Sequence, residues 1–282
     1  MDKPWQGKQM WIWELQNCLG GDVAAIVSKA KDLGLSGLIV KAWDGASYWS
    51  QIEKIIGPAH AAGLLVAGWG YSYGTNIPGE VAAMEKAIKA GADWLIIDAE
   101  VEYENVSGRV RAISLFNALA ASPAGNATIG FSSFAFPESH PGFPWDVFAG
   151  HCQVNLAQIY WGEFKLSPDA ALARCLSQNA KYGLPVAPVG QCYGTITPAE
   201  ITAFGAAAKT AGCSGLSFWS WQHAADTMFQ AIKDINLGDQ PSDWAKASWP
   251  KAVAKGVLDG TQPQGNVTRE QLAVVLDKLK LL

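Results

Sequence analysis

The chain has 282 residues, 49% of them hydrophobic, and a formal net charge of only −4, which is room for one large domain with an ample core and a small appendage. Its basic residues are scattered, so it lacks the electrostatic footprint of a nucleic-acid-binding protein. No run reaches the ~18 apolar residues of a membrane span, and the amino terminus MDKPWQGKQMWIWE has no apolar signal core, so neither nucleic acid nor membrane is an expected partner.

Five cysteines, at 18, 152, 175, 192 and 213, are an odd number without CxxC spacing, and the four histidines, at 60, 140, 151 and 223, show no ligand spacing. A disulfide framework, a zinc site and metal-dependent hydrolysis are therefore disfavoured, and no metal or cofactor is expected. The sequence as it stands reads as made in the cytosol in reduced form, although a trimmed signal peptide would leave the same sequence.

In chain order the first expected strand is KQMWIWEL. Two units of one grammar follow, an Ala- and Lys-rich helix, a glycine and an apolar strand: KAKDLGLSGLIV and AHAAGLLVAGW. The third, AIKAGADWLIID, leads into the most informative stretch, ADWLIIDAEVEYE, a buried strand ending in carboxylates. ATIGFSSF and VNLAQIYW supply two further strands, and NAKYGLPVAPVG and AAKTAGCSGLSFW complete the series. Gly34, Gly63, Gly91, Gly183 and Gly212 stand where a helix needs a left-handed residue before the chain turns into a strand. Eight strands alternating with helices over residues 1–237 predict an α/β fold, a (β/α)8 TIM barrel. A doubly wound open sheet is the alternative, but no glycine-rich phosphate loop follows the first strand.

Barrels of this kind do their chemistry at the carboxyl ends of the strands. Those ends supply Trp13 and Glu14; Lys41, Trp43 and Asp44; Trp69, Tyr71 and Tyr73; Asp98, Glu100 and Glu102; Ser132, Ser133 and Phe134; Gln158, Tyr160 and Glu163; Gln191 and Tyr193; and Trp219, Trp221, Gln222 and His223. Residues two apart on a strand share a face, so Asp98 and Glu100 project into one pocket while Ala99 faces outward. Two carboxylates crowded against an apolar wall shift apart in pKa, which suits a general acid beside an ionised partner. Thirteen Trp, ten Phe and seven Tyr suit rings that stack on sugar faces, and Trp13, Lys41, Trp69, Tyr71, Gln158, Gln191 and Trp219 are the expected substrate-binding residues. Each has a structural reading too: Trp13, Trp69 and Trp219 as plugs of the barrel top, solvated acids at a strand end, and Lys41 in a buried ion pair with Glu14 or Asp98.

The Asp98-Ala99-Glu100 strand end resembles the Asp-x-Glu of family-25 glycoside hydrolases, muramidases of cell-wall lysis. It is also similar to the end of the family-18 chitinase motif Asp-x-x-Asp-x-Asp-x-Glu: Asp93, Asp98 and Glu100 fall in place, and Ile96 replaces the middle Asp. VNLAQIYWG and GLSFWSW look like the chitinase strands that carry a Tyr and a floor Trp, here Tyr160 and Trp219. Family 25 shows an Asp at the end of strand one, where this chain has Glu14. The resemblance implies that Glu100 protonates the leaving oxygen. It implies too that Asp98 holds Glu100 or stabilises the substrate's acetamido group, with Tyr160 assisting that group, Trp219 beneath the sugar and Glu14 as a further acid.

After a turn-rich break at LGDQPS, residues 242–282 read as two helices around a DGTQPQG turn, with Thr268 and Gln271 as a capping-box start. The segment resembles a single S-layer-homology motif, with Trp244, Ala252, Gly256, Asp259, Gly260, Thr268, Arg269 and Glu270 in order, which implies cell-wall binding or homo-oligomerisation. At ~40 residues it is small for independent folding. Together these readings predict a peptidoglycan glycosidase, an endolysin that cleaves β-1,4 bonds of the bacterial cell wall and acts after release from the cytosol, or after secretion if a signal peptide was trimmed. The rivals are a chitinase or other polysaccharide hydrolase, a non-catalytic wall-binding barrel, and a wall amidase whose zinc ligands the sequence does not provide.

Overall fold

The computed structural model describes residues 3–238, 248–258 and 269–281. They fall into two compact units, Met1–Ile235 and Asn236–Leu282. The first is a (β/α)8 barrel. Its strands are β1 Gly7–Ile12, β2 Gly37–Asp44, β3 Leu65–Ser72, β4 Trp94–Ala99, β5 Thr128–Phe134, β6 Val154–Ile159, β7 Val189–Gln191 and β8 Gly215–Trp219. All eight pair in parallel in chain order, and β1 closes the ring by pairing with both β2 and β8. Ser47–Tyr48 adds a short antiparallel edge to β2. The strands are buried on both faces because helices cover the outside, which is why they read as continuous apolar runs.

The longer helices are α1 Val23–Asp32, α2 Gln51–Ala61, α3 Ile77–Ala90, α4 Gly108–Ala120, α5 Trp145–His151, α6 Pro168–Asn179, α7 Pro198–Thr210 and α8 Asp226–Asp234, and a single helical turn, Trp161–Phe164, follows β6. Asp22, Asn76, Ser167 and Thr197 cap α1, α3, α6 and α7 through their side chains, with a full capping box at Thr197 and Glu200. The five glycines that precede strands all have positive φ, from 65° at Gly34 to 109° at Gly91, so the repeat unit is built on left-handed residues that only glycine adopts without strain.

The barrel interior is filled by Trp11, Ile39, Ala67, Trp69, Trp94, Ile96, Val154, Leu156, Ala187 and Val189, with Trp5 joining them. Tryptophans this large fit because neighbours are small: a β-carbon at Gly130 would lie 2.7 Å from Leu156 and 3.2 Å from the Trp94 ring. Strand alternation then carries the inward face upward from Trp94 through Ile96 to Asp98 and Glu100. Trp94→Ala would empty the centre of this core, and an urea titration is expected to show a loss of about 3–5 kcal/mol.

In the second unit α9 Trp249–Ala254 and α10 Arg269–Lys278 are helical, with Gly256 left-handed after α9 and the Lys278 amine on the Gly256 carbonyl at 2.7 Å. Trp244, Asp259, Gly260, Thr268 and the DGTQPQG turn lie outside the described residues. No described helix is long and apolar enough to cross a membrane.

Candidate active site

Asp98 ends β4 and Glu100 follows it, both pointing into the mouth of the barrel. Asp98 is buried at 8% exposure, and Glu100 is half-buried. Gln158, from the end of β6, donates from one amide nitrogen to both, at 3.0 Å to Asp98 Oδ1 and 2.9 Å to Glu100 Oε1, with Ser132 Oγ at 3.3 Å. Burial pushes the Asp98 carboxyl well above the usual range; the charge of Glu100 adds to the rise, and Lys41 opposes it. Burial raises Glu100 as well, with Gln158 and His140 pulling it down and Glu102 pushing it up. Acids coupled this closely titrate as a pair. The pair therefore holds a proton to higher pH than ordinary carboxylates do, as a proton donor requires.

Tyr160 follows β6 and stands over the same pair. Burial, reinforced by Asp98, Tyr193, Glu100 and Glu163, raises its phenol well above the usual value, so it stays a hydrogen-bond donor. Trp219 ends β8 with a cis peptide to Ser220. Its half-buried ring lies on an aromatic floor, edge-on to Trp11 at 5.7 Å and Trp69 at 5.2 Å and stacked with Trp13 at 6.4 Å. Trp13 is 39% exposed, so part of its aromatic surface is open to a ligand. Glu100 also lines a hollow of about 360 Å3, together with Gln158, Phe134, Phe136, Phe164, Tyr160, Tyr193, His140 and Glu163. The His140 ring stacks on Phe134 at 3.5 Å and bonds Glu104 at 2.8 Å.

Asp98, Glu100, Gln158, Tyr160, Trp13 and Trp219 thus meet around one mouth. Other expected site residues have different work. Lys41 pairs with Asp44 at 2.5 Å, not with Glu14 or Asp98, because β2 bulges after Lys41 and brings the last residue of the same strand against the amine. Its ammonium also sits 4.9 Å from both the Trp49 and Trp69 ring centres. Trp69 is buried beneath Trp219 and donates to the Ile12 carbonyl at 3.0 Å, so it supports the Trp219 ring from below. Both ends of the buried Gln191 amide are taken by backbone, Gly162 N at 2.9 Å and Tyr193 O at 3.3 Å. Tyr71 donates to Glu102 at 2.6 Å, and it is the cross-strand neighbour of Asp98. Glu14 takes a hydrogen bond from Asn17 in its own turn. The charges acting on Asp98 come from Glu100, Lys41 and Glu102, and those on Glu100 from Glu102 and His140. Trp43 is fully buried and packs its ring where a β-carbon on Gly70 would stand.

Sequence reading missed the residues that brace this mouth. Gln51, at the start of α2, ties the ends of β1 and β2 together through Leu15 N, Trp13 O and Lys41 O. Buried Glu80 on α3 fixes the end of β3 by accepting from Ser72 Oγ at 2.5 Å and Gly74 N at 2.9 Å, and Ser72 meets the Tyr103 hydroxyl at 2.7 Å. The one sequence signal for Glu80 was a carboxylate on the apolar face of IPGEVAAM.

No protein-family model matches the sequence, and no curated protein matches it. Among solved structures the chain is similar to a chitinase from Chromobacterium violaceum, at 11% identity over 81% of this chain and 98% of that one, with a TM-score of 0.63. It is similar to a glycoside hydrolase family 18 N-acetylglucosaminidase from Paenibacillus barengoltzii, at 8% identity over 82% and 100%, with a TM-score of 0.61. The spore cortex-lytic enzyme of Bacillus megaterium aligns at 7% identity over 82% and 74%, with a TM-score of 0.59. At these identities the likeness is one of fold.

Proposed function

We propose that the chain is a glycoside hydrolase that cleaves β-1,4 bonds in a glycan of 2-acetamido sugars, with bacterial peptidoglycan as its substrate. The observation that carries this reading is the convergence on one mouth of the Asp98 and Glu100 pair from β4, Gln158 and Tyr160 from β6, and the Trp219 and Trp13 shelf from β8 and β1. The similarity to solved glycosidases that bear a chitinase, an N-acetylglucosaminidase and a cortex-lytic name supports it.

In the proposed reaction the sugar lies on the Trp219 ring with its scissile oxygen at Glu100. Glu100 gives its proton to that oxygen as the bond to the anomeric carbon breaks. The acetamido oxygen closes on the anomeric carbon as internal nucleophile, so no second protein nucleophile is required. The one proton the pair holds sits on Glu100 in the reacting form, which leaves Asp98 ionised to stabilise the positive charge on the acetamido nitrogen, and Tyr160 donates a hydrogen bond to the acetamido oxygen. Water then opens the ring, returning its proton to Glu100.

Chitin is the second reading, favoured by the chitinases among the similar structures, since the same chemistry serves any acetamido glycan. Incubating the protein with purified Gram-positive walls and with chitooligosaccharides, and weighing the fragments by mass spectrometry, separates the two. New reducing ends from walls support the first, and cleavage of chitooligosaccharides alone moves the assignment to chitin. Release of neither sinks both. Trp219→Ala removes the shelf under the sugar, and steady-state kinetics are expected to show KM raised about tenfold with a smaller change in kcat. The second unit is proposed to add wall binding or self-association. Lysis of the producing cell is the proposed route of release.

A further inference from the structure

The two acids need different protonation states in one small space, and one side chain from another strand holds both. Among the described residues, Gln158 Nε2 is the only hydrogen-bond donor to the side chain of either Asp98 or Glu100. Its orientation is set by the two carboxyls, because turning the amide over would put its oxygen against both of them, whereas the Ser132 hydroxyl can meet either end of the amide. The backbone places it there by register: Asp98 pairs with Ser132 on β5, and Phe134, two residues on, pairs with Gln158 on β6. The amide thus spans one strand to reach the acids.

We propose that Gln158 is the positioning residue of this site: one amide nitrogen fixes buried Asp98 and cleft-facing Glu100 in a single geometry, in place of a proton shared directly between them. Its catalytic consequence rests on the glycosidase reading, while the structural claim does not. A donor held between two carboxyls favours their ionised forms, and Gln158 does pull both acids down against the upward push of burial. The other titratable groups that bear on the pair are Lys41, Glu102 and His140, with the phenols of Tyr71 and Tyr160 alongside. Burial is the largest influence on Glu100 and raises it; Gln158 works against that rise, and Glu102 opposes Gln158.

Gln158→Met keeps the length of the side chain and removes the donor. Two readouts are taken on the full chain. The first is carbon NMR titration of the labelled Asp98 and Glu100 carboxyls, which needs no activity: both are expected to titrate about one pH unit higher in the variant, since a hydrogen bond to a charged group is of that strength. Unmoved carboxyl titrations overturn the proposal. The second is the pH profile of hydrolysis, whose limbs are expected to move up by the same amount while kcat falls about 10- to 100-fold and KM changes little. A profile that stays in place while KM alone rises also overturns it, leaving Gln158 as a plain substrate contact. If the wild type cleaves no glycan, the glycosidase reading fails and the NMR arm still decides the role of Gln158. Gln158→Leu repeats both arms should the Met variant not fold, as judged by circular dichroism.

Discussion

Glu100→Gln is expected to lower kcat/KM for a β-1,4-linked acetamido glycan by about 10²- to 10⁴-fold, the usual contribution of a general acid. The carboxyl is half-buried and held by Gln158 at 2.9 Å, so an amide of the same shape fills the same space and keeps that bond through its oxygen. What it loses is the proton that the raised carboxyl retains. The variant should therefore melt within a few degrees of wild type while its turnover collapses, and the two measurements together separate a chemical loss from an unfolded protein. Glu14→Gln provides the contrast. That carboxylate is bonded to Asn17 within the turn after β1, so its removal is expected to cost less than about tenfold. Equal losses from the two substitutions would move the acid from β4 to β1 and dismantle the proposed mechanism.

Much of the fold was legible because its signals are local. A left-handed residue between helix and strand demands glycine whatever lies across the barrel, and Gly34, Gly63, Gly91, Gly183 and Gly212 all have positive φ. Alternation on WLIIDAE likewise decides which side chains face inward with no knowledge of neighbours, so the juxtaposition of Asp98 and Glu100 could be read from spacing. Partners are another matter. Lys41 looked available to Glu14 or Asp98, and the β2 bulge gives it Asp44. Gln191 stood at a strand end like Gln158, yet its amide is consumed by Gly162 and Tyr193, whereas that of Gln158 reaches the acids. Period two fixes a face; the stagger between strands and the loops above them decide what is met on it. Gln51 and Glu80 were hidden for the same reason, since their partners lie on other strands and loops of the mouth.

Asp98→Asn should separate what this site does for catalysis from what it does to the fold. Activity is expected to fall about 10²- to 10³-fold, because an amide cannot offer the negative charge that the acetamido intermediate needs. Stability should move the other way at neutral pH. In the unfolded chain an aspartate titrates near ~3.9, and burial raises the folded value above that. Below the unfolded pKa both states carry the proton and the carboxyl costs nothing. As pH rises toward the folded pKa the native state holds more protons than the unfolded one, so the unfolding free energy falls with pH, and above the folded pKa the full cost of the buried charge is present. Asn removes that slope. Urea unfolding at pH 8 is expected to find the variant more stable by about 1–3 kcal/mol, in line with replacement of a buried charge by a neutral group, and at pH ~4 the gain should vanish. A residual slope should persist, since burial raises Glu100 and Glu80 as well. A variant destabilised equally at both pH values would show that the Asp98 charge is fully compensated in the native protein. The predicted gain at pH 8 alone, by contrast, marks a residue kept at a cost to the fold, as expected where a buried acid is retained for its chemistry.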